Sequence, residues 1–94
     1  MPIVTLIGAP TDIGAGHRGA SMGPEALRVA GITEALRERG LDVEDRGNLI
    51  GPTNPWAPPV NGYRHLPEVV QWNRSVYHAV HAALVDGRLP VLLG

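Results

Sequence analysis

Cysteine is absent from the chain, and so is lysine; no apolar run is long, and neither sign of charge dominates. Without cysteine there are no disulfides and no thiolate-ligated zinc or iron-sulfur sites, so nothing directs the chain to an oxidising compartment. A cytoplasmic location is the resulting expectation. Eight Arg against nine Asp plus Glu, a formal net charge of −1, leave no cationic excess to neutralise a phosphate backbone. Nucleic acid is therefore excluded as an expected partner. The apolar runs around Ile3–Ile7 and Pro90–Leu93 fall far short of the roughly 20 residues that cross a bilayer, and the N-terminus lacks the cationic start of a signal peptide. No membrane association is expected. That every cation is Arg reads as codon bias and carries no functional weight.

What is present is 94 residues with 44% hydrophobic content, twelve Gly and nine Pro, enough for one small globular unit over 1–94. A chain of this size buries only about two thirds or less of the surface its unfolded form exposes, so its stability margin is thin. Pro2 to Ile7 is β-branched and almost wholly apolar, closed by Gly8-Ala9-Pro10, which marks a strand covered on both faces and hence a parallel sheet. Thr11 to Gly23 is a polar, breaker-rich loop. Pro24 and Glu25 suit a first helical turn, and the pattern predicts a kinked or broken helix over 24–39, interrupted at Gly31, resumed with Thr33 as a cap, and ended by Gly40. Leu41 to Asp45 alternates apolar and acidic residues, as expected of a half-exposed strand near a sheet edge that Gly47 ends. Residues 48–66, with four prolines, read as an irregular surface loop. Pro67 and Glu68 open a long helix whose stripe Val69, Trp72, Val76, Val80, Ala83 and Leu84 faces the core, with Gly87 beyond its end. Leu89 to Gly94 is a further buried strand. The order is βαβαβ, an α/β unit with helices on both faces of a parallel sheet, and functional groups are expected at the carboxyl ends of its strands. The chain stops where its third strand would deliver such a loop, as a unit cut short would.

Gly14, Gly16 and Gly19 satisfy a G-x-G-x-x-G spacing after a strand, with Asp42 or Asp45 further on, so a dinucleotide-binding module is one alternative. Against it, the first of these glycines lies well beyond the strand end at Gly8, and Gly23-Pro24 resets the helix start past all three. His78 and His81 sit three apart on the long helix and could share a metal ion, but the core stripe turns them toward solvent. Asp12, His17, Arg18 and Gly19 fall in the loop after the first strand, which makes them candidates for the rim of a substrate site. Arg18 in particular could clamp a carboxylate, or tie down its own loop. No nucleophile, acid-base pair or full metal-ligand set can be assembled, so no catalytic and no metal residue is assigned. A third reading is a non-catalytic structural or assembly unit.

The string Val4 to Pro10, followed by His17-Arg18-Gly19-Ala20-Ser21-Met22-Gly23-Pro24-Glu25-Ala26-Leu27-Arg28-Val29-Ala30-Gly31-Ile32, resembles the N-terminal segment of arginases, within the ureohydrolases. Arg39-Gly40, the strand Leu41–Asp45, the long helix and the strand Leu89–Gly94 follow in that family's order. The stretch from Gly51 to Leu66 corresponds only to a variable loop. The resemblance implies a three-layer fold around a parallel sheet and, for the complete family enzyme, a binuclear Mn2+ centre. There a bridging hydroxide attacks the guanidinium carbon of L-arginine or a related guanidino compound to give ornithine and urea. In that family the first metal-binding His follows a Gly-Gly-Asp-His motif directly after the strand matched here by Val91-Leu92-Leu93-Gly94. No metal ligand therefore transfers onto a position of this chain. The expectation is an N-terminal portion of an arginase-like hydrolase, with no cofactor of its own, inactive alone, and forming a homo-oligomer or associating with itself through an exposed sheet edge.

Overall fold

The structure, a computed structural model, describes residues 2–15 and 19–94. Strand β1 (Val4–Gly8) is followed by a short 3-10 turn at Ala20–Met22, helix α1 (Gly23–Val29), helix α2 (Ile32–Glu38), strand β2 (Val43–Asn48), helix α3 (Leu66–Val85) and strand β3 (Leu89–Leu93). The three strands form one parallel sheet in the order β2-β1-β3. The fold is therefore the α/β arrangement that the alternation of elements requires.

Chain direction explains the layering. From β1 the chain steps sideways to β2 through α1 and α2, then returns past β1 to β3 through α3. Because parallel crossovers share one hand, reversing the step places the intervening helices on opposite faces of the sheet. Val4 and Leu6 accordingly pack with Leu93 against Ile32 and Leu36 of α2, while Ala9 and Ile13 pack on Trp72, Val69 and Val76 of α3. All five residues of β1 are buried, which is why its sequence carries no polar alternation.

The helix expected over 24–39 is two helices. Gly31 takes a left-handed φ of 95° that a side chain would resist, and its N–H caps α1 through the carbonyl of Arg28. Gly31, not Thr33, is the residue at the N-cap of α2, so Thr33 falls inside the helix and makes no side-chain cap. Strand β2 is displaced from Leu41–Asp45 to Val43–Asn48, and Gly47 does not end it. Leu6 pairs with Asp45 but Gly8 pairs with Asn48, so β2 carries one extra residue there, and Gly47 with φ 77° lies in that bulge. A bulge breaks the strict alternation of faces, so Asp45 and Asn48 both reach the side occupied by α1.

Helix α3 holds Trp72 and Ala83 in the core as the stripe predicts, with Val69, Val76 and Val80 half-buried. Leu84 departs from the expectation: it is 56% exposed and lies with Tyr77 and Val80 on the outward side of the helix. His78 and His81 are also exposed, grouped about the ring of Tyr77 at centroid distances of 5.4 and 5.8 Å. Among the described residues no group of three or more His, Asp or Glu side chains converges as a metal site would require. Nor, among the described residues, is any helix long and apolar enough to cross a membrane.

Candidate functional site

In a sheet of parallel strands ordered β2-β1-β3, all three carboxyl ends lie along one edge, and the crevice beyond that edge is where ligands of open α/β sheets bind. Three chain segments meet there. The amide of Ala9 donates to the carbonyl of Leu93 at 2.8 Å, and the amide of Leu49 donates to the carbonyl of Gly8 at 2.8 Å, so all three strand ends are tied together. Helix α1 begins directly against the end of β3: a Cβ on Gly23 would lie 2.0 Å from the carbonyl oxygen of Gly94, a separation only glycine tolerates.

The loop after β1 is fixed from outside as well as from within. The amide of Ile13 donates to Thr11 Oγ1 at 3.0 Å, and that of Ala15 to the carbonyl of Asp12 at 2.9 Å. Asn54, buried, donates from Nδ2 to the carbonyl of Asp12 at 2.8 Å and to its Oδ1 at 3.2 Å, while Asn54 Oδ1 accepts the amide of Trp56 at 2.8 Å. His65, also buried, donates from Nδ1 to the carbonyl of Ile13 at 2.7 Å, which leaves Nε2 to accept the amide of Ala57 at 3.1 Å. Two side chains from the 49–65 excursion thus grip consecutive carbonyls of the β1 loop.

On the other side of the crevice Arg28 gathers polar groups from its own helix and from β2. Its guanidinium makes a two-pronged pair with Asp45 and also donates to Glu25 at 2.6 Å and to Asn48 Oδ1. These contacts raise the Arg28 pKa, the Asp45 hydrogen bond first among the causes and burial opposing. Asp45 is correspondingly held below the ordinary carboxylate value, chiefly by Arg28, with the Gly47 amide assisting. A Cβ on Gly8 would stand 1.9 Å from Asn48 Oδ1 and 3.0 Å from an Arg28 nitrogen, so glycine at the strand end makes room for this cluster. On the α3 face, the fully buried hydroxyl of Thr5 donates to Glu44 at 2.9 Å and, with Arg46, keeps that carboxyl below its usual range.

Of the candidates read from the sequence, Asp12 stands at the crevice with its carboxylate facing Asn54. Gly19 is exposed with φ 128°, and its carbonyl accepts the amide of Met22 at the 3-10 turn. His17 and Arg18 lie outside the described residues, as does Gly16. The α-helix that follows starts at Gly23, past the 3-10 turn that Gly19 opens, so neither Gly14 nor Gly19 sits at the N-terminus of an α-helix where a dinucleotide phosphate would seat. Sequence reasoning missed Asn54, His65 and Arg28. Each left a trace: Asn54-Pro55 is a turn former, His65 immediately precedes a Leu-Pro helix start, and Glu25 and Arg28 are three apart on one helix.

As chemistry, the arrangement is a scaffold for a crevice. Among the described residues, Asp12, Glu25, Glu44 and Asp45 are each engaged by a donor of the same chain, and the hydroxyl that meets a carboxylate, Thr5 against Glu44, is fully buried and out of reach of a substrate. The described donor set does not fit a binuclear metal centre.

The arginase family model matches residues 3–94. Arginase of Brevibacillus brevis is 34% identical over 91 residues, covering 97% of this chain and 30% of that protein. Arginase of Bacillus caldovelox is 35% identical over 96 residues, covering all of this chain and 32% of its own length. Among solved structures, arginase from Bacillus subtilis superposes over 100% of this chain and 30% of its own, with a TM-score of 0.84 at 29% identity. The Bacillus caldovelox arginase structure does so over 98% and 31%, with a TM-score of 0.82 at 32% identity. The chain spans about 30% of the length of the relatives it matches. With a family match running from the first strand to the last residue, and solved arginases superposing on nearly the whole chain, this chain belongs to the arginase family.

Proposed function

We propose that the chain is the N-terminal portion of an arginase-like manganese hydrolase acting on L-arginine or a related guanidino compound, and that it is inactive alone. The observation supporting this is the family match over residues 3–94, which spans about 30% of the length of the relatives. In this reading the manganese is held by residues outside these 94, and no step of hydrolysis runs through the side chains described above. The chain's own contribution is architectural: β1 and β3 present the crevice, Asn54 and His65 hold the Asp12–Ile13 backbone at its mouth, and Arg28 locks α1 to β2 behind it.

Two measurements test the proposal. The reading frame following the Gly94 codon is expected to encode Gly-Asp-His, and an unrelated sequence there would refute the reading. The purified chain incubated with Mn2+ and L-arginine is expected to release no urea above buffer; turnover would show that the reactive groups lie within it. Self-association belongs to the same proposal, since β3 forms one side of the sheet with Leu89 and Leu92 about half exposed.

A further inference from the structure

The excursion between β2 and α3 lines a half-open pocket of about 600 Å³, within the size range of small-molecule sites. It lies apart from the Arg28 cluster, and the arginine-hydrolysis reading makes no use of it. Its walls are rigid. Pro55 and Pro58 have fixed φ, and Val60 and Tyr63 exchange two backbone hydrogen bonds of 2.9 Å around Asn61-Gly62. Asn61 and Gly62, at φ 52° and 80°, form the two-residue turn that this dipeptide favours. His65, with both ring nitrogens turned to backbone groups, closes the inner wall and holds Ala57 in place. These constraints reduce the ordering entropy that binding would cost, which favours a small molecule that binds without remodelling its host.

The lining chemistry selects the occupant. Pro55, Pro58, Val60 and Leu66 offer apolar surface, Tyr63 offers a ring, and Glu68 is the one carboxylate, with no Arg among the described lining residues. Glu68 occupies the first turn of α3 and is half-buried at the pocket wall. Val60, Tyr63 and Leu66 are 69%, 61% and 47% exposed, so apolar surface is on offer at the mouth. We infer that this cavity is a binding site for a small organic cation with an apolar body, its charged end directed to Glu68 and its body lying against Tyr63 and the proline walls.

The test is titration of the 15N-labelled 94-residue chain with benzylamine, a cation, and with benzyl alcohol, its neutral counterpart. Benzylamine is expected to shift the amides of Ala57, Val60, Tyr63 and Glu68 saturably, with a dissociation constant on the order of millimolar, as its few atoms allow. Benzyl alcohol is expected to bind roughly fivefold more weakly. Glu68→Gln should bring benzylamine down to the affinity of benzyl alcohol. Leu66→Arg, at an exposed position that leaves the core intact, should weaken benzylamine by placing a like charge at the mouth. Equal binding of the two probes, an unchanged Glu68→Gln variant, or shifts confined to the outward face of α3 around Tyr77 and Leu84 would each overturn the inference.

Discussion

Arg28 and Asp45, seventeen residues apart, face each other in a planar two-pronged pair, Nε to Oδ2 at 2.9 Å and Nη2 to Oδ1 at 3.0 Å. This pair joins α1 to β2 and exists because the bulge at Gly47 lets Asp45 and Asn48 reach the same guanidinium. Lysine cannot reproduce the fork. Arg28→Lys is expected to lower unfolding stability by about 1 kcal/mol, a modest figure because the pair is partly solvated. Urea unfolding followed by tryptophan fluorescence measures it, and an unchanged midpoint would show that the pair is decorative.

The same pair sets an acid limb of stability. Asp45 is depressed in the folded chain, so it binds a proton more readily when unfolded. Its contribution is fully present above the unfolded carboxylate value of about 4 and is lost as pH falls through the lower folded value. Glu44, depressed by the Thr5 hydroxyl and Arg46, acts in the same direction. The urea midpoint should therefore fall as pH is lowered below about 4, and Asp45→Asn should fall less steeply over that range. Parallel pH profiles for the two proteins would contradict this account.

Gly51 carries the next expectation. A Cβ there would lie 2.1 and 2.3 Å from carbons of the Trp72 ring, and the ring is 5% exposed with little freedom to withdraw. Gly51→Ala is expected to cost about 1–3 kcal/mol through forced displacement of the ring. The change should red-shift the native emission as Trp72 gains water. Gly62→Ala is the contrast, because nothing stands within 4 Å of its Cβ position and only its φ of 80° opposes the substitution.

These contacts mark how far the sequence could be read. The buried strand Val4–Gly8, the break at Gly31 and the stripe through Trp72 and Ala83 were legible because apolar periodicity and glycine placement act locally. The bulge at Gly47 was not, since the alternation from Leu41 to Asp45 looks the same whether pairing starts at Leu41 or at Val43. Leu84 misled because a stripe on a helix does not say how wide the sheet beneath it is. Asp12 could be placed at the crevice from topology alone, but its partner Asn54 is 42 residues away, and no spacing rule spans such a distance. His65 escaped for the same reason: its bond to Ile13 joins loops that only the fold brings together.

Asn54 and His65 make separable predictions because each protects a different amide. Trp56 N–H is bonded to Asn54 Oδ1 and Ala57 N–H to His65 Nε2. Asn54→Ala should accelerate hydrogen exchange at Trp56, and His65→Phe at Ala57, by roughly tenfold or more where a buried bond is lost without replacement. Both substitutions should also loosen Ile13 and its neighbours, since each removes a hold on the β1 loop. Exchange rates unchanged at Trp56 in the first variant and at Ala57 in the second would mean that the excursion is ordered by its prolines and hairpin alone.

The free edge of β3 yields the last prediction. Leu89 N–H donates to Ile3 and the Leu93 carbonyl accepts from Ala9, so odd-numbered residues direct their backbone groups toward β1 and Pro90 and Leu92 direct theirs outward. Proline costs β1 nothing there, because its missing N–H belongs to the open side. The edge nevertheless retains the outward carbonyls of Pro90 and Leu92 and the Leu92 N–H, beside leucine side chains 46% and 50% exposed at 92 and 89. Such an edge attracts another strand. The chain is expected to self-associate with rising concentration in sedimentation velocity, and Leu92→Lys should raise the dissociation constant by at least about tenfold, because a lysine at a strand edge opposes pairing. The charge is introduced at a half-exposed position, so a folded monomer is the expected product, with far-ultraviolet circular dichroism unchanged. Association that is insensitive to Leu92→Lys would move the contact elsewhere, with the outward face of α3 as the surface to substitute next.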